Sequence, residues 1–330
     1  MFMLAAGCVT PKGLANRIAK APNLQYGSLP DKQWQKWSRM LFKTNDPFQY
    51  LTIPVGPPEA KLSVLELPAA NYGVEVRTQI VRHTNGTRDF VLDMFTKTNV
   101  VRTAPKKLGT IVLLHGYMMQ KETMVPWALV LAQAGYQVVL VDLRGHGQST
   151  GRTFTAGKYE TADLVQMLDY LTARKLCDPS VGVLGHSFGA DLALFWAARD
   201  PRVKTVVAIA PYDKPDEAIP RLAQALKWPI STNKLQKAIV LAEPKLGIKW
   251  SDWTAESALA EIKEPVLLIG GVRDIISPPQ DLRLLKWAAP AGSQAILIPE
   301  ADHFVIGYWF QELATPVKAW FQRHLPPPEP

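Results

Sequence analysis

The sequence predicts an α/β protein, with a mostly parallel sheet covered by helices on both faces. Two observations carry this. From Thr110 onward, short apolar runs recur at 111–114, 137–141, 181–184, 203–209, 266–269 and 295–298. Continuous apolar runs of that length suit strands buried on both sides. Between them lie stretches of helical length and period, at 123–134, 161–175, 188–199, 279–288 and 305–323. Strand and helix in alternation imply parallel neighbours joined by crossovers. Ligands of such sheets bind beyond the carboxyl ends of the strands, so residues just after each run are the first to inspect.

The chain opens differently. Met1 to Cys8 ends in Ala5-Ala6-Gly7-Cys8, which resembles the lipobox of bacterial lipoproteins. Lipid on Cys8 would anchor the protein to an envelope membrane. Too few apolar residues precede Cys8 for a signal peptide. Either the true start lies upstream or the match is accidental. The first case places the protein in the cell envelope, the second in the cytoplasm. Residues 11–58 are rich in proline, lysine and tryptophan and read as a linker. One short helix is expected there at 31–42, carrying Trp34 and Trp37. Residues 72–83 and 89–98 alternate apolar and polar side chains around Asn85-Gly86, a strong hairpin turn. They are expected to open the sheet as two antiparallel strands. The resulting division is a leader and extension over 1–60, a core over 61–211 and 264–330, and an insertion over 212–263.

Composition narrows the function. The 330 residues are 47% hydrophobic and can bury a large core. The net charge of +8 is dispersed, and no run resembles a nucleic-acid-binding arm. Neither of the two cysteines has a Cys or His at metal-ligand spacing, and no cofactor motif is present. Cys177 reads as a small buried residue. No run is long and apolar enough to span a bilayer.

The chemistry gathers at Gly185-His186-Ser187-Phe188-Gly189, between an apolar run and a helical stretch. This is the G-x-S-x-G elbow, which presents a serine hydroxyl on a strained strand-to-helix turn. Glycines flank it because side chains there would crowd the turn. The new helix directs its free N–H groups towards the same place. His115-Gly116-Tyr117 follows the first buried strand, and Asp142-Leu143-Arg144-Gly145-His146-Gly147-Gln148-Ser149 the second.

In these segments the sequence resembles the α/β-hydrolase superfamily, over about residues 72–323. Within it, the similarity is to the group of lysophospholipases, monoacylglycerol lipases and serine aminopeptidases. The resemblance implies an α/β-hydrolase fold and a nucleophile at Ser187. It implies backbone N–H donors at Tyr117 and Phe188 for an oxyanion. His115 is expected to hold its loop, and Asp142 and Arg144 to brace theirs by charge-assisted hydrogen bonds. His146 is read as scaffold rather than base. Asp274 follows the strand at 266–269 and stands where the family places its acid; Asp213 is the rival. His303 follows the last strand and is the expected base. The order Ser, Asp, His is that of this superfamily. The insertion at 212–263, with Trp228, Trp250 and Trp253, falls where such enzymes carry a cap. Together these imply a serine hydrolase of acyl esters or lipids, working without cofactor or metal. Peptidase, thioesterase, acyltransferase and non-catalytic binding protein stand as alternatives.

Overall fold

The apolar runs pair as their composition requires. The computed structural model describes residues 10–22, 48–85, 88–96, 106–325 and 327. Strands β5 (Gly109–Leu114), β6 (Tyr136–Val141), β7 (Val181–His186), β8 (Val203–Ile209), β9 (Val266–Gly271) and β10 (Gln294–Ile298) lie parallel. Every residue of β5, β6, β7 and β9 is buried. Strand β10 is the exception, with only Ile298 buried, because it forms one edge.

Two strands complete the other edge. Strands β1 (Gln49–Val55) and β2 (Ala60–Leu67) form an antiparallel pair, and β2 runs antiparallel to β6. The order across the eight-stranded sheet is β1-β2-β6-β5-β7-β8-β9-β10. This moves the expected boundary of the core. Strand β1 lies inside the stretch assigned to the 1–60 extension and belongs to the sheet. Its Ile53 and Val55 face inward, while Pro54 is exposed. A proline is tolerated there because an edge strand has N–H groups with no ladder partner to lose.

The hairpin forms, but not as the opening of this sheet. Strands β3 (Val74–Arg82) and β4 (Arg88–Thr96) make a separate two-stranded sheet. Gln133 ties its start down by accepting from the Val74 N–H (2.9 Å) and donating to the Val74 carbonyl (2.8 Å). At the other end Arg82 and Arg88 clasp Glu300, in the loop that leads to His303.

Helices cover both faces: α1 (Pro11–Ile18), α2 (Val125–Ala132), α3 (Lys158–Ala173), α4 (Phe188–Ala197), α5 (Pro215–Ala225), α6 (Thr232–Leu246), α7 (Ala255–Glu261), α8 (Pro279–Ala288) and α9 (Phe310–His324). The helix expected over 305–323 is broken. Residues Ile306–Tyr308 form one 3₁₀ turn, and Trp309 leaves helical geometry before α9 begins. Apolar side chains pack into two clusters, one on each face of the sheet. Residues 212–263 contribute α5, α6 and α7. No helix among the described residues is long and apolar enough to cross a membrane. Cys8 and the 31–42 segment with Trp34 and Trp37 lie outside the described residues.

Candidate active site

Strand β7 ends in the elbow. Ser187 has φ +54° and ψ −123°, a conformation that few non-glycine residues adopt. Its N–H is held by the Ile209 carbonyl at 2.8 Å. The flanking glycines are sterically required. A Cβ on Gly185 would run into the Gly189 carbonyl, and one on Gly189 into the Leu114 carbonyl.

The geometry joins three distant residues. Ser187 Oγ lies 2.8 Å from His303 Nε2. His303 Nδ1 lies 2.8 Å from Asp274 Oδ2. The other oxygen of Asp274 accepts the N–H groups of Ile276 and Ser277, each at 2.8 Å. The carboxylate is therefore fixed in orientation and turned towards the ring. Ser277 donates its hydroxyl to the Ala210 carbonyl at 2.9 Å, tying the acid's loop to the end of β8. Asp302 shapes the His303 loop by accepting the Phe304 N–H at 3.0 Å. The acid beside His303 is thus Asp274. Asp213 instead accepts the Glu256 N–H at 3.0 Å and holds the start of α7.

Tyr117 and Phe188 stand beside the serine. A Cβ on Gly116 would lie 3.4 Å from Ser187 Cβ, so the backbone entering Tyr117 passes close to the hydroxyl. Phe188 is the first residue of α4. Among the described residues neither N–H has a partner in the protein. Such donors are available to an incoming oxygen.

The remaining histidines of this rim are structural. His115 Nε2 accepts the Leu143 N–H at 3.1 Å, so its Nδ1 carries the proton and donates to the Gly116 carbonyl at 2.8 Å. Burial pulls its pKa down. His146 is buried, and its Nδ1 lies 2.9 Å from the Arg144 carbonyl. Burial, reinforced by His115, pulls its pKa down to about 3. His186 is held down to about 4, by burial first and by His303 second.

Other charged groups are buried close to the site. Lys121 is fully buried, with its ammonium 2.7 Å from Asp142 and 3.1 Å from Glu122. Burial opposes its charge, but these carboxylates outweigh that and raise its pKa. Arg144 makes a two-pronged contact with Asp163 of α3, at 2.7 and 2.5 Å. Asp191 is buried beside Tyr212, whose N–H it accepts at 3.2 Å, and burial pushes its carboxyl well above the usual range.

Ser187 and His303 open into a cavity of about 630 Å³. Its walls are largely apolar and come from outside the sheet as well as from it. Helix α1 supplies Leu14, α5 supplies Ile219 and Leu222, and Trp228 and Trp250 add aromatic surface. Trp253 does not join them; it packs edge-on against Phe195, with ring centroids 5.3 Å apart. Among the described residues no cluster of His, Cys, Asp and Glu is arranged to hold a metal ion.

Residues 109–249 match the model of the family described as the alpha/beta hydrolase fold. With this sheet order and this elbow, the chain has the α/β-hydrolase fold. It is 25% identical over 261 residues to an uncharacterized 31.7 kDa protein of the Escherichia coli traX-finO intergenic region, covering 65% of this chain and 91% of that one. It is 30% identical over 125 residues to acyltransferase drtE of Aspergillus calidoustus, covering 37% of this chain and 41% of that one. An esterase of Pyrococcus furiosus superposes with a TM-score of 0.62 at 19% identity, covering 93% of this chain and 98% of that structure. The last likeness is one of fold.

Proposed function

We propose that the protein is a serine hydrolase that cleaves carboxylic esters through an acyl-enzyme. The observation that carries this reading is the unbroken relay from Ser187 Oγ to His303 Nε2 and from His303 Nδ1 to Asp274. A serine hydroxyl is a weak nucleophile at neutral pH. His303 takes its proton as Oγ attacks the ester carbonyl, then returns that proton to the departing alcohol. Asp274 holds the ring with its proton on Nδ1 and steadies the imidazolium. The N–H groups of Tyr117 and Phe188 receive the negative oxygen of the tetrahedral intermediate. Each such donor contributes about 3 kcal/mol to lowering the barrier. Water, activated by the same histidine, then releases the acid.

The walls suggest an acyl group as the bound part. Residues 212–263 act as a cap in this reading, with α5 and Trp228 covering the apolar chain. A volume of about 630 Å³ accommodates a medium acyl chain. The substrate class is therefore an acyl ester or lysolipid. The test is a panel of p-nitrophenyl esters of rising chain length, set beside monoacylglycerol, lysophospholipid and aminoacyl substrates. Ester hydrolysis that peaks at short or medium chains supports the reading. Activity confined to aminoacyl substrates overturns it. A second reading, acyl transfer to an alcohol or amine, draws on the similarity to a fungal acyltransferase. Product analysis with such an acceptor present separates transfer from hydrolysis.

A further inference from the structure

We propose that helix α1 completes the substrate pocket, and that Arg17 selects esters carrying a phosphate or carboxylate on their alcohol side. This inference rests on the hydrolase reading above. Helix α1 lies ahead of the sheet in sequence, yet three of its residues line the cavity: Leu14, Arg17 and Ile18. They follow the i, i+3, i+4 spacing that puts side chains on one helix face. The helix is held in place. The Thr10 hydroxyl caps it by accepting the Gly13 N–H at 3.2 Å. Leu14 and Ala15 are buried, and the helix packs along α6. Beyond it, the Ala21 N–H reaches the Arg152 carbonyl at 3.1 Å, and the Ala19 carbonyl accepts the Phe154 N–H at 3.1 Å.

Arg17 differs from every other described lining residue. It is the only permanently charged side chain among them; the rest include no Asp, Glu or Lys. It is exposed to solvent while lining the cavity, which sets it at the mouth. No described residue forms an ion pair with it. An apolar cavity strongly disfavours a buried unpaired anion, so a charged group on the substrate must remain at the opening. With the acyl chain inside and the ester at Ser187, the alcohol moiety faces that opening. A guanidinium there matches the two-pronged geometry of phosphate or carboxylate.

The test compares esters that share one acyl chain: octanoylglycerol, octanoylglycerol phosphate and octanoylglycerate. The wild-type protein is expected to prefer the two anions in kcat/KM. Arg17→Met keeps the aliphatic stem and removes the charge. It should lower the anionic-to-neutral ratio by about tenfold, the size of one charge-assisted contact near solvent. Arg17→Lys should restore most of that ratio. A response confined to the phosphate ester identifies phosphate as the group read. An unchanged ratio, including equal slowing of all three esters, overturns the proposal and leaves Arg17 as packing. Equilibrium binding to the Ser187→Ala protein keeps the two readings apart. Arg17-dependent binding without any turnover by the wild type sinks the hydrolase reading alone. Binding indifferent to Arg17 sinks the anion reading whatever the serine does.

Discussion

The 142–149 loop and the rim beside β7 each hold an aspartate, a histidine and a serine, but only the rim forms a relay. In the loop, the aspartate and the serine are engaged elsewhere, and the histidine contacts neither. Asp142 accepts the Lys121 N–H and ammonium, each at 2.7 Å, and the Gln148 N–H at 2.9 Å. His146 points Nδ1 at a backbone carbonyl and leaves Nε2 buried without a partner. Ser149 donates to the Asp142 carbonyl at 2.6 Å and accepts the Ser63 N–H at 2.8 Å. On the rim, Asp274 keeps one oxygen for the ring, and the ring keeps one nitrogen for the hydroxyl. That hydroxyl faces a cavity. Residue types alone therefore do not make a relay. The groups must also contact one another, as they do on the rim.

Substitutions on the two sets should separate them, beginning with the rim. Ser187→Ala and His303→Ala are each expected to lower kcat by about 10⁴-fold or more, with folding retained. Asp274→Asn should cost about 10³ to 10⁴, because the amide favours the wrong tautomer of His303. Steady-state ester hydrolysis measures all three. If His303→Ala kept near-native turnover, the distinction between the sets would fail.

Next in size is the buried pair of the loop. Lys121→Met leaves Asp142 without its buried cation and should cost about 3 to 5 kcal/mol in denaturant unfolding. Adding Asp142→Asn should recover part of the loss, since the uncompensated charge is then removed. Equal destabilisation by the single and double variants would argue against this pairing.

Acid exposes the loop and rim histidines. His146 and His186 keep pKa values of about 3 and 4 when folded, against roughly 6.5 for an unfolded histidine. As the pH falls below that value the unfolded chain takes up protons that the folded chain refuses. Each histidine then withdraws stability at about 1.4 kcal/mol per pH unit. His146→Asn should flatten the decline between pH 6 and 4 by about one histidine's share, measured as denaturant midpoint against pH. The smallest effect expected is that of Asp213→Asn. It should change kcat by less than about threefold, because its carboxylate serves the start of α7.

The relay was legible in the sequence because each member announces itself locally. Ser187 sits between two glycines at the end of an apolar run, and Asp274 and His303 each follow one. The parallel strands followed from the same runs, though their order across the sheet did not. Other parts gave no local sign. Strand β1 is interrupted by Pro54, which is harmless only because the strand lies at an edge, and edges are not visible in sequence. The hairpin was legible as a pair, but a turn does not say which sheet its strands will join. Helix α1 spans eight residues, too few turns for its period to stand out. Lys121 reads as a surface charge until Asp142 and Glu122 are seen around it. The part of the cavity wall that helix α1 supplies thus came from structure rather than pattern, whereas Trp228 and Trp250 lie in the insertion already marked in the sequence.

Active-site labelling bears most directly on the relay. The protein is treated with a fluorophosphonate and the adduct is mapped by peptide mass spectrometry. One adduct on Ser187, absent in Ser187→Ala and strongly slowed in His303→Ala, is the predicted result. A folded protein that takes no label, or carries it on another residue while still hydrolysing esters, would contradict the account.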